Sequence, residues 1–77
     1  MLNAVIAGKV IKMYRENKKI SQEVLSGLAD LGRTHLSAIE RGERKPTLAT
    51  FFKISKALEV KPSRLLKSIE DEMEIDW

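Results

Sequence analysis

The chain reads as all-α, a compact bundle of about five short helices with no sheet. Apolar residues recur at three- and four-residue spacing along most of the 77 residues, and β-branched alternation is absent. Residues that start and stop helices punctuate the chain at short intervals. At this length the chain is one domain with a limited core, so association with a second copy would add useful buried apolar surface.

The first helix is expected from about Asn3 to Asn17, with Ala7, Val10, Ile11 and Tyr14 inward. Ser21 is a strong N-cap residue followed by Gln22, Glu23, Val24 and Leu25, so a second helix can begin with its free amides satisfied and an acid near its positive end. Leu25, Leu28 and Ala29 fall at i, i+3 and i+4 and make one apolar stripe. Asp30-Leu31-Gly32 breaks the stripe, and Gly32 can open a third helix from Arg33 to Arg41 that Gly42 ends. In it Leu36 and Ile39 point inward, Leu31 packs beneath, and Arg33, Thr34, Ser37, Ala38 and Arg41 lie on other faces.

After Pro46, Thr47 can cap a fourth helix in which Leu48, Phe51, Phe52, Ile54, Ala57 and Leu58 are expected mostly buried. Glu59 to Lys61 forms a connector, and Pro62 suits the first turn of the last helix. There Leu65 and Leu66 read first as core, with Leu66 also at the edge of a candidate partner surface formed by Ile69, Met73, Ile75 and Trp77. Apolar residues scattered through so acidic a tail gain little unless something covers them; a frayed end is the competing view.

The formal net charge is +3, and its distribution says more than its total. Lys9, Lys12, Arg15, Lys18, Lys19, Arg33, Arg41, Arg44 and Lys45 crowd the first part, whereas the tail turns acidic through Glu70, Asp71, Glu72, Glu74 and Asp76. A polyanion should approach the N-terminal half, with the acidic end turned away. The absence of cysteine removes disulfides, thiolate nucleophiles and the usual zinc-finger ligands together. His35 is the only histidine and lacks the clustered acids that a metal site or an acid-base pair needs, so neither a metal nor a cofactor is expected and catalysis ranks last. Leu2 to Val10 contains Asn3, Gly8 and Lys9 and reads as helix, not as a secretory signal, and no apolar run could span a bilayer, so a soluble cytoplasmic protein is expected.

The exposed face of the third helix is small, polar and cationic. Such a face suits the major groove of DNA, because small residues permit close approach while hydroxyls and guanidinium groups meet base edges and phosphates. An ordinary solvated charged face remains the alternative on that helix alone.

The run from Ser21 to Leu48, SQEVLSGLADLGRTHLSAIERGERKPTL, resembles the helix-turn-helix of the phage-repressor-like (XRE) family. The likeness lies in its Ser-Gln-x-x-Leu start, the alanine at the turn, the Arg-Thr helix start, the Ile-Glu-Arg-Gly exit, and Arg44, Pro46 and Leu48 in register. Gly8, Ile11, Tyr14 and Arg15 fit the family's first helix, and Phe52, Ile54, Ala57, Leu58, Val60, Leu65 and Leu66 fit its last two. The chain departs from the pattern at Asp30 and Lys19, where the family usually has Gly, at Gly32, where it has a hydroxyl residue, and at Lys61, where it has Ser.

The resemblance implies a lambda-repressor-like DNA-binding domain over 1–77, with the second and third helices as the motif and the segment from about 62 to 77 contributing to dimerisation. It implies that Arg33 and Thr34 read bases, followed by Ser37 and His35, with Ala38 meeting a thymine methyl. Gln22, Arg41, Arg44 and Lys45 would contact the DNA backbone, and Arg15 and Glu40 would form a structural ion pair between the first and third helices. Without room for a ligand-binding domain, and with the Arg-Thr opening, the chain is similar to the controller proteins of restriction-modification systems. The expectation is a homodimer on a double-stranded, pseudo-palindromic operator with recognition helices about 34 Å apart, and no small-molecule ligand or membrane partner. An antitoxin whose tail from Ile69 to Trp77 binds a toxin is the alternative.

Overall fold

The computed structural model describes residues 3–74. They form α1 (Ala4–Asn17), α2 (Gln22–Leu28), α3 (Arg33–Glu40), α4 (Leu48–Ala57) and α5 (Pro62–Met73), with no strand among them. None of these helices is long and apolar enough to cross a membrane.

Local chemistry sets the boundaries. The Asn3 side-chain oxygen accepts from the amides of Val5 and Ile6 at 3.0 and 3.1 Å, Ser21 Oγ from Val24 at 3.1 Å, and Thr47 Oγ1 from Thr50 at 3.1 Å. Each oxygen satisfies donors that the first turn of a helix leaves free. Gly32 and Lys61 open α3 and α5 without a side-chain cap, and Pro62 opens α5 with its φ already helical.

The first four helices all end on a left-handed residue: Lys19, Asp30, Gly42 and Glu59, at φ 61, 54, 77 and 59°. The following amide then returns to a carbonyl of the last turn, as Leu31 does to Ser26 at 2.9 Å and Glu43 to Ala38 at 2.9 Å. Three of these sites carry a side chain where glycine is unstrained, so the turns hold despite the departures at Lys19 and Asp30.

One core draws on all five helices and their caps: Ala7, Val10 and Ile11; Leu25 and Ala29; Leu36 and Ile39; Phe51, Ile54 and Leu58; Leu65 and Ile69. No buried side-chain nitrogen or oxygen among the described residues lacks a partner. Gly8 lets α1 lie directly on α3, since a Cβ there would come within 2.1 Å of the Ile39 carbonyl oxygen. The Tyr14 hydroxyl meets Ser68 Oγ at 2.6 Å and ties α1 to α5 as well.

Several expected orientations need correction. Leu28 is 61% exposed although it shares spacing with Leu25 and Ala29, because the stripe that faces the core runs through Leu25 and Ala29 alone. Leu48 and Phe52 of α4 are 74% and 52% exposed, since the core takes Phe51, Ile54 and Leu58 from the other side of that helix. On α5 the core takes Leu65 and Ile69, one turn apart, and leaves Leu66 half exposed. Ile69, expected at a partner surface, is fully buried within its own chain, and Met73 packs partly against the core. Ile75 and Trp77 lie outside the described residues.

Candidate nucleic-acid interface

Leu36 and Ile39 anchor α3 by full burial, which commits the opposite side of this eight-residue helix to solvent. The far end of the helix is fixed by charge. Glu40, whose side chain is 1% exposed, accepts from Arg15 Nε at 2.8 Å and Nη2 at 3.0 Å, and from Gln22 Nε2 at 3.0 Å. Arg15 Nη1 donates onward to the Ile20 carbonyl at 2.9 Å. The Glu40 hydrogen bonds hold the Arg15 proton more tightly than in an ordinary guanidinium, outweighing the burial that opposes charge. The expected ion pair is thus present in the structure as a bidentate one that joins α1, the start of α2 and the end of α3.

Arg33 and Thr34, both exposed, and Ser37, half buried, line one shallow groove together with Gln22 and Arg41. The helical turn explains the grouping, since positions one, two, five and nine of a helix fall on one side. His35 and Ala38 are half buried and do not line that groove. Arg44 and Lys45 stand exposed on the loop beyond Gly42, also outside it. Gln22 spends one amide hydrogen on Glu40, which leaves its second hydrogen and its oxygen for another partner.

Glu43 escaped the sequence reading. Arg41 Nε donates to its Oε2 at 2.9 Å and Nη2 to its Oε1 at 3.1 Å, while Arg41 Nη1 donates to Ser37 Oγ. These hydrogen bonds push the Arg41 guanidinium up and hold the Glu43 carboxyl below its ordinary range, through attraction between the two charges as well. The signal was the Arg-Gly-Glu order itself, because a left-handed glycine turns the chain so that residues two apart can meet. A second feature missed is an apolar depression lined by Pro46, Leu48, Phe51, Phe52, Pro62, Ser63 and Leu66, between the start of α4 and the start of α5.

A short helix with a small, cationic outer face, preceded by another at a tight turn and braced by a buried ion pair, defines a helix-turn-helix protein. A helix-turn-helix family model matches residues 11–65, and the chain belongs to that phage-repressor-like helix-turn-helix family. It is 44% identical over 63 residues to control protein C.BamHI of Bacillus amyloliquefaciens, covering 80% of this chain and 78% of that protein. Among solved structures it is similar to the restriction-modification controller protein C.AhdI of Aeromonas hydrophila, with a TM-score of 0.80 at 32% identity over 84% of this chain and 98% of that one. It is also similar to the controller protein C.Esp1396I, seen as a tetramer in complex with its natural 35 base-pair operator, with a TM-score of 0.86 at 32% identity over 95% of this chain and 96% of that one.

Proposed function

We propose that this chain is a sequence-specific, DNA-binding regulator of transcription, a controller of a restriction-modification system that acts as a homodimer on a pseudo-palindromic operator. The observation that carries the reading is the shared groove of Arg33, Thr34 and Ser37 on the exposed side of a helix whose other side and far end are both locked. Arg33 can fork onto O6 and N7 of guanine, and Thr34, Ser37, His35 and Ala38 offer hydrogen bonds or methyl contact to neighbouring bases. Gln22, Arg44 and Lys45 supply register through phosphates, which carry no sequence information themselves. The work of such a protein is binding in the cytoplasm, without a chemical step or a cofactor.

Residues 1–77 act as one unit in this reading, and the last helix contributes to pairing. Its contribution comes through Leu66, which joins Leu48 and Phe52 around the apolar depression, in place of the buried Ile69. A second copy laid against that depression would bury three large apolar side chains at once. Operator occupancy then rises steeply with concentration, because pairing and DNA binding are coupled. The relatives named above are control proteins, which favours regulation over toxin neutralisation.

The decisive experiment selects bound duplexes from a random pool with the wild-type protein and with Arg33→Ala. The wild type should enrich a two-fold related site with half-sites about 34 Å apart, and the variant should lose preference at one base position per half-site at a cost of about 1 to 3 kcal/mol. Failure to enrich any sequence, or an identical site with Arg33→Ala, refutes the proposal.

A further inference from the structure

Among the described residues Arg33, Arg44 and Lys45 make no ion pair, yet Arg41, which shares its groove with Arg33, is held by a carboxylate. An acid facing an approaching polyanion lowers affinity through like-charge repulsion. Its presence calls for a physical role.

We infer that Glu43 withholds Arg41 from the DNA backbone and, through it, sets the hydroxyl of Ser37, so that Glu43 is a specificity-determining positioning residue. The inference rests on the DNA-binding reading and adds to it a residue of the wrong sign for DNA contact. The Nε–Nη2 edge of a guanidinium is one that grips a phosphate bidentately, and in Arg41 both nitrogens are already bonded to Glu43, at 2.9 and 3.1 Å. Of the three N–H groups left over, one on Nη1 donates to Ser37 Oγ.

That last bond has a consequence for reading. A serine hydroxyl both donates and accepts, and so distinguishes bases poorly. Once a cation occupies one of its lone pairs, the hydroxyl is polarised toward donating. Ser37 then favours the acceptors of the major groove, such as N7 of a purine or O4 of thymine, over the amino group of cytosine. The backbone holds the arrangement in place: Gly42 at φ 77° reverses the chain, and the Glu43 amide is fixed to the Ala38 carbonyl at 2.9 Å.

The test measures fluorescence anisotropy of a labelled mixed-sequence duplex, long enough for two half-sites, across a salt series. It compares the wild type with Glu43→Gln, Arg41→Ala, the double variant, and Glu70→Gln as a remote control of equal charge change. Glu43→Gln should release Arg41 onto a phosphate, steepening the slope of log affinity against log salt by about 0.9 per chain and tightening binding about two- to five-fold. Arg41→Ala should keep the wild-type slope while losing base preference in the selected site, and in its background Glu43→Gln should do no more than Glu70→Gln.

The inference is overturned if Arg41→Ala flattens the wild-type slope by about 0.9, because Arg41 would then already sit on a phosphate. It is equally overturned if Glu43→Gln never exceeds the remote control. A wild type that shows no salt-sensitive binding defeats the DNA-binding reading itself, and this inference with it. The two failures are thereby told apart.

Discussion

Arg15 on α1 and Glu40 at the end of α3 meet through two parallel hydrogen bonds, 2.8 and 3.0 Å long, with only 1% of the Glu40 side chain exposed. A carboxylate so withdrawn from water depends on its partner for charge compensation. Replacing Arg15 by Met should therefore destabilise the fold by about 3 kcal/mol, whereas Arg15→Met with Glu40→Leu should recover most of the loss. Urea unfolding of the two single variants and the double variant measures this. Additive losses would mean that the pair contributes no more than packing.

Gly8 sets how closely α1 and α3 approach. The Cβ of Gly8→Ala would stand 2.1 Å from the Ile39 carbonyl oxygen and 2.9 Å from that of Glu40, both backbone atoms that cannot rotate away. The helices must separate, and a loss of about 3 kcal/mol is expected in thermal or urea unfolding. Amide chemical shifts should move along α3 more than along α4. A variant as stable as the wild type would show that the two helices slide freely.

Lys61 opens α5 with no side-chain oxygen to cap it. Its φ of −62° and ψ of 137° already suit a capping residue, so Lys61→Ser should satisfy a free amide of the first turn without rearrangement. The expected gain is about 1 kcal/mol in unfolding free energy. No gain would mean that a second effect, such as lost contact of the lysine stem, offsets the cap.

Phe52 and Leu48 are exposed side by side with Leu66 around the depression between α4 and α5. Phe52→Lys should shift sedimentation toward the monomer by at least tenfold in dissociation constant, corresponding to about 1.4 kcal/mol, without lowering helical content. An unchanged association constant would place the pairing surface elsewhere. Truncation after Lys67 is a poorer probe, because it removes Ile69 from the core as well.

The starts and stops of the helices were legible because they depend on near neighbours: Ser21 and Thr47 cap, Gly42 turns left-handed, and Pro62 begins α5, each as its chemistry dictates. Which apolar residues face inward was less legible. Leu65, Leu66 and Ile69 have equal hydrophobic character, and only the direction of α4 and α1 against α5 decides that Leu65 and Ile69 are covered. The Arg15–Glu40 pair came from the family pattern, not from spacing, since 25 residues separate the two in sequence. Glu43 was missed for a different reason: its pairing with Arg41 follows only when the Arg-Gly-Glu order and the reversal at Gly42 are read together, each being unremarkable alone.

α1 touches both ends of the working molecule, lying on α3 through Gly8 and Arg15 and on α5 through the Tyr14–Ser68 bond. α3 and α5, the helices proposed to read DNA and to take part in pairing, are thus braced by one strut instead of being joined by a hinge. Two subunits so built would resemble a caliper with its screw tightened: the distance between jaws is set before any target is met, and a target of the wrong length must itself bend or twist to fit.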